Sequence, residues 1–272
     1  MPSHLIVDIE TVPDHLIYEP EAVQPPAWAA ALVANSISQG RPADAKIPPP
    51  WACRVVVMGV VWLGEDLRLL RIGAMGEKIG EKPASEGEIL RGFSSFMAAQ
   101  EAQVVTWAGR TFDLPVVVMR SFRAGVPMPW YYKVRDYRYR YTADGHLDLC
   151  DYLADFGGGR LSKLDGVARA IGLPGKDGAS GGDVHELWDA GRFSDVRNYC
   201  LTDVVQTAFV FLRYKLLVGH LDYAFYRRAA QGLLKGCRED VRVEGFFGEG
   251  RVDEDLLLLQ GEHAPPEKGK KK

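Results

Sequence analysis

His4-Leu5-Ile6-Val7-Asp8-Ile9-Glu10 is a short, β-branched apolar run with two carboxylates set into it. A run of this kind suits a strand buried at the middle of a sheet. Residues two apart on a strand leave by the same face, so Asp8 and Glu10 converge. Paired carboxylates in an apolar strand cost free energy unless their charge is neutralised, and a divalent cation is the usual means. The pair alone is weak: Glu86 and Glu88 share its spacing on a predicted helix, where they read as a solvated face.

Outward from this strand, Pro13 to Pro50 carries Pro25-Pro26 and Pro48-Pro49-Pro50, which marks residues 13–53 as a long insertion with one helical turn around Trp28 to Val33. Arg54 to Leu63 and Leu67 to Ile72 flank Gly64-Glu65-Asp66 and predict an antiparallel hairpin. A helix over Ser85 to Ala99, a strand at Gln103 to Trp107, a helix from Leu114 to Arg123 and a strand at His146 to Leu149 follow. Helices are then predicted near Leu161 to Ile171, Ser194 to Tyr214 and Leu221 to Lys235. Three early strands followed by alternating helix and strand give an α/β fold, a mixed sheet of about five strands, the first three antiparallel, flanked by helices. The expected division is a domain over residues 1–218 and a helical extension over 219–272, ending in a disordered basic tail from Glu267 to Lys272.

The composition, 47% hydrophobic and 25% charged with net charge −3, is that of a soluble globular protein and names no partner. Any nucleic-acid surface has to be a local basic strip. Cys53, Cys150, Cys200 and Cys237 form no C-x-x-C pair, so reduced, buried thiols are expected rather than a disulfide framework or a zinc knuckle. No apolar run is long enough to span a membrane, and no basic region followed by an apolar one opens the chain, so a cytoplasmic location is expected.

Two further motifs follow in order. Asp113 lies in Gly109-Arg110-Thr111-Phe112-Asp113-Leu114-Pro115, between a strand and a helix, where Asp and Pro read first as a helix cap. Capping does not exclude a second role for the other carboxylate oxygen. Tyr199 and Asp203 are four apart on a long helix and so share a face. Tyr132 and Asp136 have the same spacing, but in an irregular, tyrosine-rich stretch.

The ordered set of strand Asp-x-Glu, strand-to-helix Phe-Asp and late-helix Tyr-x-x-x-Asp resembles the DEDD exonuclease superfamily, tyrosine subtype. More narrowly, the chain is similar to the predicted 3′→5′ exonuclease family related to the proofreading domain of B-family DNA polymerases. The stretches that carry the likeness are LIVDIETVPD (5–14), VVTWAGRTFDLPVV (104–117), YRYRYTADGHLDL (137–149) and GLPGKDGASGGDVHELWDAGRFSDVRNYCLTDVVQTAFVFLR (172–213). One departure is Ala108, where the family commonly has Asn before the Gly. The histidine subtype replaces the tyrosine by a His five residues before the last Asp. His146 and Asp151 have that spacing but lie at a strand end, so Tyr199 is preferred.

The resemblance implies a ribonuclease H-like fold and two divalent ions, Mg²⁺ or Mn²⁺, held by Asp8, Glu10, Asp113 and Asp203. It also implies Asp8 as the shared ligand and Tyr199 as the group orienting the nucleophile. The substrate it implies is single-stranded nucleic acid, DNA favoured over RNA, cut from the 3′ end to nucleoside 5′-monophosphates, with any polymerase or helicase acting in trans. Thr11, Val12 and Phe112 are placed at the terminal nucleotide by the same likeness. Between Tyr131 and Tyr141, five tyrosines interleave with four basic residues. That mixture suits a single strand, since arginines hold phosphates and rings stack on bases, and it makes Arg138, Arg140 and Tyr141 candidate contacts. A buried edge with solvated arginines is the competing reading of the same residues. Two alternatives to the whole assignment are an exoribonuclease of ribonuclease D type and a catalytically idle binding module, which would be expected to have lost a ligand.

Overall fold

The structure, a computed structural model, describes residues 2–18, 48–77, 83–160, 162–175 and 184–264. The helical turn expected near Trp28 and the basic tail lie outside these residues. The strands are β1 (His4–Pro13), β2 (Cys53–Leu63), β3 (Leu69–Ala74), β4 (Gln103–Thr106) and β5 (His146–Asp148). The helices are α1 (Glu86–Gln100), α2 (Asp113–Ala124), α3 (Pro129–Lys133), α4 (Leu149–Leu153), α5 (Leu164–Ala170), α6 (Val184–Asp189), α7 (Phe193–Leu217), α8 (Tyr223–Glu239), α9 (Glu244–Phe247) and α10 (Glu254–Leu258).

The strand order is β3-β2-β1-β4-β5. β1 and β2 pair antiparallel, as do β2 and β3, whereas β4 runs parallel to β1 and β5 parallel to β4. This is the expected ribonuclease H-like sheet, with the apolar opening strand at its centre. β3 begins two residues later than its hydrophobicity suggests. Leu67, an apolar residue read as strand, is used in the turn at φ 59, with its N–H bonded to Gly64 O and its side chain buried.

β1 feeds two cores by strict alternation. Leu5, Val7 and Ile9 pack toward α1 and α2, against Ile89, Phe93, Val116 and Val117. Ile6 and Val12 face the other way, toward α7. Between those two the same face carries Asp8 and Glu10, so a polar gap opens in an apolar wall opposite α7.

That helix is 25 residues long and contributes Leu201, Val204, Val205 and Phe209 to the core. Residues of α8 and α10 close the same core rather than hanging from it. Tyr226 donates its hydroxyl to Leu257 O at 2.6 Å, and Arg213 of α7 donates to Leu256 O and Leu257 O at 2.9 and 3.0 Å. Tyr226 and Phe247 are fully buried beside Phe209. α1 starts with a capping box in which Ser85 Oγ accepts the Glu88 N–H and the Glu88 carboxylate accepts the Ser85 N–H. Glu86, read as solvated, instead accepts the Val55 N–H at 2.9 Å and two bonds from the buried Arg120. Helical periodicity cannot show a partner that comes from a different helix.

Candidate active site

Asp8 and Glu10 sit just before a break in the β1–β2 register, between Glu10 and Thr11, which reshapes the strand as it leaves the sheet. Opposite them, α7 comes close because β2 has Gly59 at the crossing. A Cβ there would lie 2.9 Å from Cys200 Sγ. The Gly59 N–H donates to that sulfur at 3.3 Å, and the single thiol proton is shared between Asp8 O at 3.5 Å and Asp8 Oδ2 at 3.6 Å. Donor atoms of Asp8, Glu10 and Cys200 lie within 4.8 Å of one another. Burial raises the Cys200 pKa well above its ordinary value, and the charges of Asp8, Glu10 and Asp203 raise it further. Asp8 and Glu10 thus lie beside one thiol, and Asp203, three residues along α7 from it, adds its charge. Tyr199, half-buried beside Val184 and Val196, is the immediate neighbour of Cys200 in the chain.

Asp113 joins them by a different route. β4 pairs with β1 only as far as Ile6, leaving the edge of β1 beyond that point open. Asp113 Oδ1 accepts the Ile9 N–H there at 3.2 Å, between the two acids of the opening strand. It is the first residue of α2; the cap position belongs to Phe112, with no side-chain cap bond. The capping reading is therefore corrected: the carboxylate is spent on a strand 104 residues away. Its pKa is raised to about 7, first by burial and then by the charge of Asp148, against the pull of its backbone hydrogen bonds.

Asp148, which sequence reasoning passed over, holds the turn that delivers Asp113. Its carboxylate accepts the N–H groups of Ala108 and Arg110 at 2.9 Å each, and caps α4 through Cys150 N–H. An aspartate at the end of an apolar strand and just before a helix was the available signal. Within that turn, a Cβ on Gly109 would meet Thr106 at 2.6 Å, and Ala108 sits at φ 61. An L-residue pays about 1–2 kcal/mol in that region, whereas Asn tolerates it. Ala108→Asn should therefore raise stability by about 0.5–1 kcal/mol, read as a shift of the urea midpoint at constant slope; a destabilised variant would contradict the strain assigned to this turn.

The other expected contacts divide. Thr11 is half-buried at the bulge, and Phe112 is half-buried against the α1–α2 core. Val12 turns its side chain into the α7 face with Val57 and Cys200, leaving only its backbone to meet a substrate. Arg138, Arg140 and Tyr141 are exposed along the β5 edge of the sheet, apart from the carboxylates. Arg140 already donates Nε and Nη2 to Asp151 at 2.8 and 2.7 Å. Tyr137 packs inside, donating its hydroxyl to Ala102 O at 2.9 Å. His146 is buried in the sheet with Nε2 2.9 Å from the Thr106 hydroxyl, and burial, then the charge of Arg110, lowers its pKa to about 3. All four cysteines are free and buried, as expected.

Residues 47–244, most of the chain, match the family described as "Predicted 3'-5' exonuclease related to the exonuclease domain of PolB". The chain belongs to this family. The match takes in Asp113, Tyr199 and Asp203, while Asp8 and Glu10 lie ahead of it.

Among solved structures, the family B DNA polymerase of the archaeon Pyrobaculum calidifontis is 18% identical at a TM-score of 0.49, over 95% of this chain and 27% of that one. Exonuclease I of E. coli, in its zinc-bound complex with single-stranded DNA, is 12% identical at a TM-score of 0.36, over 90% and 45%. The chain thus spans about a quarter of that polymerase and under half of that exonuclease. No curated protein sequence matches it. Among the described residues, no helix is long and apolar enough to cross a membrane.

Proposed function

We propose that the chain is a metal-dependent 3′→5′ exonuclease acting on single-stranded nucleic acid, with DNA favoured and nucleoside 5′-monophosphates released. The observation that carries this reading is the clustering of Asp8 and Glu10 about the Cys200 thiol, with Asp203 three residues further along α7 and Asp113 bonded to the backbone between the first two. An oxygen-rich set of this kind, with a buried carboxyl driven up by its surroundings, fits hard divalent cations. Asp8, Glu10, Asp113 and Asp203 would hold two such ions, Mg²⁺ or Mn²⁺, which neutralise charge and lower the pKa of bound water when present. The chain's own groups do the positioning. Tyr199 orients the attacking water by its hydroxyl, Cys200 fixes the rotamer of Asp8, and Asp148 fixes the turn that aims Asp113. The catalytic unit in this reading is residues 1–218, with the C-terminal helices as a buttress to α7. The preference for DNA rests on the family likeness.

Chelation tests the metal directly. EDTA should abolish activity and Mn²⁺ should restore it. A second readout needs no turnover: Mn²⁺ at about a hundred times its Kd should stabilise the wild type by about 2.7 kcal/mol for each ion bound, and leave Asp8→Ala nearly unmoved. Activity that persists in EDTA, or equal stabilisation of both proteins, would overturn the assignment.

A further inference from the structure

Beyond the carboxylates, the rings along the β5 edge form a continuous line. Tyr139 and Tyr141 are 5.9 Å apart, Tyr141 and Phe156 5.0 Å, Phe156 and Tyr152 4.8 Å, and Tyr152 and Tyr214 6.2 Å. Unlike the buried cluster of Phe93, Trp130 and Tyr137, this line is wet at its outer end: Tyr139 is 42% exposed and Tyr141 61%, Phe156 is half-buried, and Tyr152 and Tyr214 are half-buried against the main core. Guanidinium groups accompany it. Arg135 lies 4.3 Å over Tyr139, and Arg140, locked by its two bonds to Asp151, lies 5.9 Å from the Phe156 ring.

The backbone is strained where the middle ring is mounted. Asp155 and Phe156 stand at φ 48 and 53 and are followed by Gly157 at φ 100. Two successive L-residues in the left-handed region cost about 1–2 kcal/mol each, and such strain persists where it serves a site. A half-buried phenylalanine held this way gains less from burial than a core position would give it.

We propose that this line is a stacking track for the part of the strand lying upstream of the 3′ end. The outer rings, Tyr139, Tyr141 and Phe156, take bases, Arg135 and Arg138 take phosphates, and Arg140 is held in place by Asp151. Its near end joins the catalytic turn through Arg140, Asp151, whose N–H bonds Asp148, and the two N–H groups that Asp148 holds. Its far end is set by α7: Tyr214 lies eleven residues past Asp203, about 16 Å along the helix. The track therefore meets nucleotides several positions from the bond to be cut. The rings meet edge-to-face or tilted, at interplanar angles of 73°, 59°, 63° and 84°, so bases would stack on their outward faces, and rings with forked cations favour no particular base.

The track's direction rests on the exonuclease reading, but its binding does not, so the test is equilibrium binding in EDTA. Fluorescence anisotropy would compare an oligothymidylate of about twenty nucleotides, longer than one site, with an abasic strand of equal length. Tyr141→Ala and the volume-keeping Phe156→Leu should each weaken the base-bearing strand about tenfold, while Phe156→Tyr stays near wild type. The abasic strand should bind all four proteins alike. Wild-type binding of the base-bearing strand by both variants, or an equal loss of both strands, would overturn the track. A wild type that binds but cleaves nothing with Mn²⁺ would overturn the exonuclease reading instead and leave the track standing.

Discussion

Asp8→Ala should lower kcat by about three orders of magnitude, roughly 4 kcal/mol of transition-state stabilisation, because it removes a carboxylate from the cluster with Glu10 that would hold the ions. Tyr199→Phe should cost less, about a hundredfold, since it removes one orienting hydroxyl and no charge. Folding stability separates this from damage. In the absence of metal, Asp8 adds like charge to a cluster that already contains Glu10 and Asp203, so Asp8→Ala should be as stable as wild type in EDTA, or more so. Steady-state kinetics and urea unfolding on the same samples check both halves. Equal losses for Asp8→Ala and Tyr199→Phe would remove the role given to the tyrosine.

Arg120→Ala should destabilise the fold by about 3–5 kcal/mol. The side chain is 2% exposed and donates to Glu86 twice and to Asp14 once, each at 2.7 Å, and to Trp51 O at 2.8 Å. Removing it strands the buried Asp14 carboxylate. Burial alone would raise the Asp14 pKa, but the hydrogen bond and charge of Arg120 outweigh it and hold the group below its ordinary value.

A carboxyl depressed in the fold contributes stability that is present above its unfolded pKa, near 3.9, and is lost as pH falls through the folded value. Wild type should therefore lose this contribution only in acid, and Arg120→Ala should have little left to lose there. Arg120→Lys keeps charge but not the fork, and should fall between the two. Chemical denaturation at neutral and acid pH measures the set; a loss under 1 kcal/mol for the alanine variant would mean that the network is solvated. The consequence for function is indirect. Arg120 is on the helix that begins with Asp113, and Asp14 follows the strand that carries Asp8 and Glu10, so the pair clamps two parts of the site together.

How much of this was legible depends on the range of the interaction concerned. The central strand, the hairpin and the helix starting after Ser85 follow from local pattern; the structure has the hairpin and helix within about two residues and carries the strand on past Glu10 to Pro13. Leu67 shows the limit: an apolar residue looks like strand whether it is buried in a ladder or in a turn. The carboxylates were found by their order along the chain, but what surrounds them was not. Glu86 was read as solvated and Asp113 as a cap because their partners, Arg120 and the Ile9 N–H, lie 34 and 104 residues away. Cys200 was expected to be a reduced, buried thiol. It is buried, but only the crossing of α7 over Gly59 shows it bonded to Asp8. The tyrosine-rich stretch divides between both readings made of it, with Tyr137 packed inside and Tyr139 and Tyr141 exposed.

The most direct test of the central claim is digestion of matched 3′-labelled and 5′-labelled single-stranded DNA and RNA with Mn²⁺, wild type beside Asp8→Ala and Asp203→Asn. The account predicts that wild type releases the 3′ label at once and shortens 5′-labelled DNA one nucleotide at a time, while neither variant does so. Release from the 5′ end, internal cuts, or a wild type that leaves both polymers intact would contradict it.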